Sequence, residues 1–202
     1  MHLRKPAIEL LDKRYRTTLI NSLAGFRQAV LVGTRSLGGQ ENLAIFNSLI
    51  HIGAHPALFG LISRPDSVQR DTLQNIQETG AYTLNYVRAE HYPAAHQTSA
   101  RYAKEVSEFE QVGFTPMYID GCRAPFVEGA VVQIAMQLEE TMPIPINGTT
   151  LIIGSITQII LPDALVEADG YINLSAADVL ISQGLDAYAT ANMIGRLPYA
   201  KP

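Results

Sequence analysis

The chain has 202 residues, of which 47% are hydrophobic and 17% charged, and its formal net charge is −4. This composition supplies a core and excludes a disordered chain, while the slight acidity and the lack of basic blocks argue against a nucleic-acid surface. No apolar run approaches the roughly 20 residues that a membrane helix needs, and we expect no secretory signal. The single cysteine, Cys122, excludes an internal disulfide. These bounds predict a compact cytoplasmic protein.

The first half of the chain predicts short strands followed by a helix. Gln28–Thr34 is mainly apolar at consecutive positions, which is typical of a strand covered on both faces, and Ala57–Ser63 has a similar character. Asp71 can cap a helix whose apolar side chains face inward, and Gly80 marks its end. We expect residues 1–16 to form an amino-terminal arm.

The clearest pattern in the second half is that of an antiparallel hairpin. Val131–Glu139 alternates between apolar and more polar side chains, which predicts a half-buried strand. Leu151–Ile160 supplies the second strand, and the Asn-Gly pair at 147–148 is a strong turn signal. Because Pro143 and Pro145 precede that turn, we expect a connection wider than a two-residue loop.

Helices are expected to be few and short. His91–Tyr102 and Ser107–Val112 can each give two or three turns. The serine-to-acid spacing of Ser175–Asp178 is typical of a helix start, and this helix would continue into Val179–Ile181. No repeat or linker divides the chain. The sequence therefore predicts a single, mainly β domain over residues 1–202, with short helices inserted between antiparallel strands.

The motifs of several common enzyme classes are absent from the sequence. There is no Gly-x-Gly-x-x-Gly segment, no phosphate loop ending in Gly-Lys-Ser/Thr and no Gly-x-Ser-x-Gly elbow. His51 and His55 have the spacing of metal ligands on a helix, but Gly53 and Pro56 break any helix there. We therefore expect no metal site.

A cluster of anion-binding residue types surrounds the predicted helix start. The preceding strand ends in Ser63-Arg64, and Arg70 and Thr72 flank Asp71. Arginine makes bidentate contacts with phosphate, and a helix N-terminus adds oriented N–H donors. The cluster favours a phosphate site, and the alternative that Asp71 only caps the helix beside solvated arginines stays equally open.

A series of short motifs runs through the chain from about Leu31 onward. It comprises Asn42-Leu43-Ala44 with Ser48, Ser63-Arg64, Arg70-Asp71-Thr72-x-x-Asn75-Ile76, Gly80–Asn85, Thr98-Ser99-Ala100, Ser107–Glu110, Gly113–Pro116, Ala124-Pro125, Asp169–Ile172 and Gly195–Tyr199. In this order the motifs resemble the flavin reductase-like family. The resemblance implies a mainly β, antiparallel Greek-key fold, the FMN-binding split β-barrel.

The resemblance also implies which side chains hold the cofactor, FMN. Those expected at the flavin ring are Asn42, Leu43, Ala44 and Ser48. Those expected at the phosphate are Ser63, Arg64, Arg70 and Thr72. The segment expected to close over the flavin or its ribityl chain is Thr98-Ser99. His96 is the histidine nearest to that segment, and it is a weak candidate for a general acid or base.

Two departures from the family pattern concern the ring face and the carboxyl-terminal tail. Ile45 and Phe46 stand where the family usually has proline and a serine or alanine, so we expect different contacts at the ring face. Leu197-Pro198 replaces the common Gly-Gly before Tyr199. We also expect Asn42–Ser48 and Ala57–Arg64 to be neighbouring antiparallel strands, joined through the turn at residues 53–56.

The implied function is that of an FMN-dependent oxidoreductase. A hydride from NADH or NADPH would reduce the flavin, and the electrons would pass to oxygen, free flavin or a partner oxygenase. The alternative is a non-catalytic FMN carrier or electron-transfer flavoprotein, and a third interpretation is a barrel with a vestigial site. The apolar stretch Leu185–Pro202, together with the resemblance, predicts a homodimer. Because the proposed anion site would recognise a phosphate, we expect FMN to bind better than riboflavin. We expect Arg70→Ala to weaken FMN binding by about 1.5–3 kcal/mol.

Overall fold

The structure, a computed structural model, describes residues 1–65 and 71–201. The strands are β1 (Phe26–Gln28), β2 (Val30–Arg35), β3 (Glu41–Phe46), β4 (Ile50–Ala54), β5 (Ala57–Ser63), β6 (Ala81–Tyr86), β7 (Pro116–Met117), β8 (Phe126–Val127), β9 (Val132–Ile144), β10 (Thr149–Ile160), β11 (Ile181–Gln183) and β12 (Ala187–Ala189). The α-helices are α1 (Lys5–Glu9), α2 (Lys13–Leu23), α3 (Asp71–Thr79), α4 (Tyr92–Gln97) and α5 (Glu108–Val112).

The large sheet is antiparallel and contains seven of the strands in the described part of the chain. Their order is β3-β2-β6-β9-β10-β5-β4, and a smaller sheet has the order β1-β11-β12. The predicted hairpin, β9 with β10, is the longest pairing of the large sheet. Its loop at 145–148 is closed by a hydrogen bond in which the Gly148 N–H donates to Ile144 O at 2.9 Å. The mainly β, antiparallel fold class is therefore confirmed.

The two edges of the large sheet approach each other beside Ser48. The Ser48 hydroxyl donates to the carbonyl of Ile62 and accepts from its N–H, both at 3.1 Å. The expectation that Asn42–Ser48 and Ala57–Arg64 are neighbouring strands is wrong, because β3 pairs with β2 while β5 pairs with β4 and β10. Residues 50–54 form a strand of their own, and the Ser48 side chain bonds to the second segment at Ile62.

Both faces of β2 are buried, as its apolar sequence predicts. Val30 and Val32 pack into a core that includes Leu73 and Ile76 of α3. Leu31 packs on the other side, in a cluster with Phe109 of α5 and Ala95 of α4. The helices therefore cover opposite faces of the same strand, and α3 ends as predicted at Gly80, which has φ +71°.

Three local predictions are wrong. Gln28–Thr34 is not one strand, because Ala29 separates β1 in the small sheet from β2 in the large one. The half-buried assignment fails for the first part of β9, where Gln133 is 5% exposed and donates to Val127 O. Val179–Ile181 does not continue a helix, because Asp178 takes a left-handed conformation with φ +49° and the chain enters β11.

The amino-terminal helices were not foreseen in the sequence. The predicted arm, residues 1–16, contains α1 and ends inside α2, and neither helix has a buried residue. The Asp12 carboxylate starts α2 by accepting from the backbone N–H of Arg14 and of Tyr15. Among the residues that the structure describes, no helix is both long and apolar enough to span a bilayer.

Candidate flavin site

A cavity of about 490 Å³ lies between β3, the end of β5, the start of α3 and the small sheet. Side chains from distant parts of the sequence meet there because β3 and β5 converge at Ser48. The residues predicted for the flavin that line this cavity are Ala44, Ser48, Ser63, Arg64, Thr72 and Ser99. Arg70, predicted for the phosphate, lies outside the described residues.

One end of the cavity is suited to an anion. Ser63 is 2% exposed at the end of β5, and the exposed Arg64 follows it. Thr72 lies in the first turn of the nine-residue helix α3 and also lines the cavity. A guanidinium, two hydroxyls and the first turn of a helix form a donor set that fits a phosphate. The predicted phosphate-binding side chains that the structure describes are thus brought together.

Asn42 is positioned to hold α3 rather than to line the cavity. Its Nδ2 donates to Thr34 Oγ1 at 3.1 Å and to Thr72 Oγ1 at 3.0 Å, while Asn75 Nδ2 donates to the same Thr34 oxygen at 3.1 Å. This buried network ties the first turn of α3 to β2 and β3. Asn42 therefore fixes the position of Thr72, which lines the cavity.

Two further predicted residues also make bonds within the protein. Leu43 is fully buried, and its N–H donates to Glu108 Oε2 at 3.1 Å. Burial raises the pKa of the Glu108 carboxyl, the Leu43 N–H opposes that rise, and the charge of Asp71 adds to it. Thr98 Oγ1 donates to Ala95 O at 2.8 Å. Neither Leu43 nor Thr98 lines the cavity.

His96 is connected to the cavity through Tyr188. Its Nδ1 lies 2.9 Å from the Tyr188 phenol oxygen, and the two rings meet edge to face at 5.7 Å. Tyr188 lines the cavity, and burial, with a smaller effect of Asp186, raises the pKa of its phenol. The pair therefore places a hydrogen bond between two side chains at the cavity wall.

Sequence reasoning missed one wall of the cavity, which is formed by residues near the amino-terminal and carboxyl-terminal parts of the chain. Asn21, Arg27, Ser182 and Tyr188 line the cavity, although none belongs to the motifs that carried the resemblance. Arg27 and Ser182 face each other on the β1–β11 ladder. Arg27 Nε and Ser182 Oγ are buried without a hydrogen-bond partner. No local pattern distinguished these residues, because the pairing of β1 with β11 is what brings them together.

The fold is that of the split-barrel class of proteins, and comparison with known proteins agrees. The chain matches the profile of the flavin reductase like domain over residues 24–175. It belongs to the flavin reductase-like family. A crystal structure from Shewanella frigidimarina NCIMB 400, of a candidate flavin reductase with a split barrel domain, is 46% identical with a TM-score of 0.95. That match covers 99% of this chain and 100% of the other.

More distant structures share the fold. Nitrilotriacetate monooxygenase component B from Bacillus cereus is 20% identical, with a TM-score of 0.86 and 98% of each chain covered. An FMN-binding protein from Thermus thermophilus is 16% identical, with a TM-score of 0.72, and the match covers 88% of this chain and 93% of that protein. At these identities the likeness concerns the split barrel alone.

Proposed function

We propose that the protein is an FMN-dependent oxidoreductase that uses NADH or NADPH. The observation that carries the proposal is the cavity, whose anion-binding end at Ser63, Arg64 and Thr72 adjoins the strand segment 44–48. A phosphate at one end and a planar ring along the strand are the two parts of FMN. Bound FMN would supply the redox chemistry, because a flavin can accept a hydride from a nicotinamide and pass the electrons onward.

The chain's own residues bind and orient the cofactor. Arg64 and Ser63 hold the phosphate, and Asn42 keeps Thr72 in place for the same purpose. Ala44 has a small side chain, which leaves room over the strand for a second planar ligand, since hydride transfer requires close approach. His96 holds the Tyr188 hydroxyl at the cavity wall, where the phenol can form a hydrogen bond to a ligand.

The acceptor and the assembly are part of the same proposal. Oxygen, free flavin or a partner oxygenase receives the electrons, and the fold shared with a monooxygenase component B supports the last of these. A homodimer is supported by the tail, where Ile194, Leu197 and Tyr199 are each at least 90% exposed. The single cysteine agrees with a cytoplasmic location.

Titration of the purified protein with FMN and riboflavin tests the cofactor assignment. We expect FMN to bind more tightly, and Arg64→Ala to weaken FMN by about 1.5–3 kcal/mol, the range for a hydrogen bond to a charged group, while riboflavin is unaffected. Arg123→Ala is the matched control, because Arg123 is exposed and does not line the cavity. Equal affinities for FMN and riboflavin would contradict the phosphate site.

Anaerobic mixing of the FMN-loaded protein with NADH or NADPH then separates the enzyme from a carrier. Bleaching of the flavin absorbance by either nicotinamide is the expected result. A protein that binds FMN and is reduced by dithionite, but not by either nicotinamide, is the electron-transfer alternative. A protein that binds neither flavin is a barrel with a vestigial site.

A further inference from the structure

We propose that Arg27 and Ser182 form a second ligand-binding subsite in this cavity, which binds the carbonyl-bearing edge of the flavin ring and stabilises the ring when it is reduced. The inference rests on the proposed function, and it names the residues that tune the cofactor. It concerns a part of the cavity wall outside the phosphate-binding cluster.

The first argument is that each of the two side chains carries a buried donor atom without a hydrogen-bond partner. Ser182 is 4% exposed, and its hydroxyl has no hydrogen bond among the described residues. Arg27 Nε is equally unpaired, and its Nη2 makes one long bond of 3.4 Å to Asn21 O. Buried polar groups are nearly always paired, so two orphans lining one cavity indicate a ligand that accepts hydrogen bonds.

The second argument is the place of this pair along the cavity. At one end of β3, Asn42 is bonded to Thr72 beside the phosphate cluster. At the other end, Phe46 pairs with Val30, three residues after Arg27. Four steps of strand span roughly 13 Å. Asn47 Nδ2 also donates to Gly184 O at 2.7 Å, which ties the small sheet to this end of β3. The Arg27–Ser182 pair therefore belongs to a part of the cavity wall other than the phosphate cluster.

The third argument is charge. None of the ion pairs in the described part of the chain involves Arg27, and this residue lines the cavity. A preorganised cation acts most strongly on a group that gains negative charge, and the ring edge of a flavin gains electron density on reduction.

Variants of two arginines, Arg27 and Arg64, distinguish the proposed subsite from the phosphate cluster. Riboflavin and FMN are titrated into Arg27→Gln, Ser182→Ala and Arg64→Ala, in the oxidised and in the dithionite-reduced state, and the midpoint potential of the bound flavin is measured. We expect Arg27→Gln to weaken both flavins equally, by about tenfold or more in the reduced state. Arg64→Ala should weaken FMN alone. For every factor of ten by which a variant weakens the binding of reduced flavin more than that of oxidised flavin, the midpoint potential falls by about 30 mV.

Each remaining outcome is decisive. An Arg27→Gln protein with the riboflavin affinity and potential of the wild type overturns the subsite, and so does a variant changed only in its KM for NADH or NADPH. If Arg27→Gln fails to fold by circular dichroism, Ser182→Ala decides, with a smaller loss expected in the same direction and an unchanged potential overturning the proposal. A wild type that binds no flavin refutes the proposed function together with this inference. If the wild type binds flavin and neither Arg27→Gln nor Ser182→Ala changes flavin affinity or potential, the subsite alone is refuted.

Discussion

The phenol oxygen of Tyr82 fills the space that a side chain on Gly154 would need. Tyr82 lies on β6 and Gly154 on β10, so the ring reaches across β9, which separates these two strands in the sheet. The hydroxyl is buried there without a partner, and burial raises the pKa of the phenol. The glycine thus accommodates the tip of a core side chain from two strands away.

Gly154→Ala is expected to destabilise the fold by about 1–3 kcal/mol, because the new methyl group overlaps Tyr82 Oη and approaches Gln137 O at 2.9 Å. Tyr82→Phe should leave the free energy of unfolding unchanged or raise it, since it removes an unpaired buried hydroxyl. In the double variant, part of the alanine penalty should disappear. Urea denaturation of all four proteins measures the coupling, and strictly additive effects would show that the overlap is relieved elsewhere.

Glu108 makes stability depend on pH. Its pKa is raised in the folded chain, so the unfolded chain binds fewer protons over the interval from the ordinary glutamate value of about 4.3 upward to the raised value. Stability contributed by the protonated carboxyl is therefore present below that interval and is lost as pH rises through it. Glu108→Gln should remove this loss, since its amide oxygen can still accept from the Leu43 N–H.

The matched control for this experiment is Glu110→Gln, an exposed residue two positions along the same helix. Urea denaturation between about pH 4 and pH 8 should give parallel profiles for the wild type and Glu110→Gln, and a flatter one for Glu108→Gln. If the Glu108→Gln profile also parallels the wild type, the carboxyl does not titrate differently on folding.

Ala44→Trp is expected to fill the cavity beside β3. The residue lines the cavity, and a large aromatic side chain there should block the flavin or the nicotinamide while the strand pairing survives. Flavin binding and NAD(P)H oxidation measure the effect, with circular dichroism as the folding check. Ala54→Trp, at an exposed position on β4, should bind flavin as the wild type does. A folded Ala44→Trp protein with wild-type binding and activity would place the site elsewhere.

The carboxyl-terminal tail is expected to mediate dimerisation. Arg196 anchors the tail by donating to Glu167 Oε2 at 2.6 Å, and its Cζ atom lies 4.1 Å from the centre of the Tyr171 ring. Ile194 and Leu197 remain exposed. Ile194→Asp/Leu197→Asp should reduce the mass in solution from that of a dimer to 22.1 kDa, measured by light scattering. Ala191→Asp/Ala200→Asp adds the same charge and should remain dimeric. A wild type of 22.1 kDa at micromolar concentration would contradict the prediction.

The elements predicted well from the sequence are those whose signal is local. The alternation in 131–139 with the Asn-Gly pair at 147–148 gave the hairpin, and Gly80 gave the end of α3. The helix expected from Ser175 forms only a short 3-10 turn, Leu174–Ala177, because Asp178 adopts a left-handed conformation that its neighbours do not indicate. β4 was also missed, although it lies between two motif-bearing segments and pairs locally with β5.

For the site, the motifs identified one side of the cavity and missed the other. Ala44, Ser63, Arg64 and Thr72 lie near one another in sequence or in recognisable motifs. Arg27 and Ser182 lie in unremarkable segments near the two ends of the chain, and the β1–β11 ladder makes them neighbours. Side chains whose role depends on such pairing have no signature in a single sequence.

The pairing of β1 with β11 also determines when the cavity forms. During synthesis the amino-terminal helices and all seven strands of the large sheet leave the ribosome before β11, so the growing chain has β1 without its ladder partner. A nascent protein can therefore assemble the phosphate end of the pocket while the wall at Ser182 and Tyr188 is still missing. Under the proposed function, cofactor loading is completed only after translation reaches the last strands, which limits flavin chemistry to finished molecules.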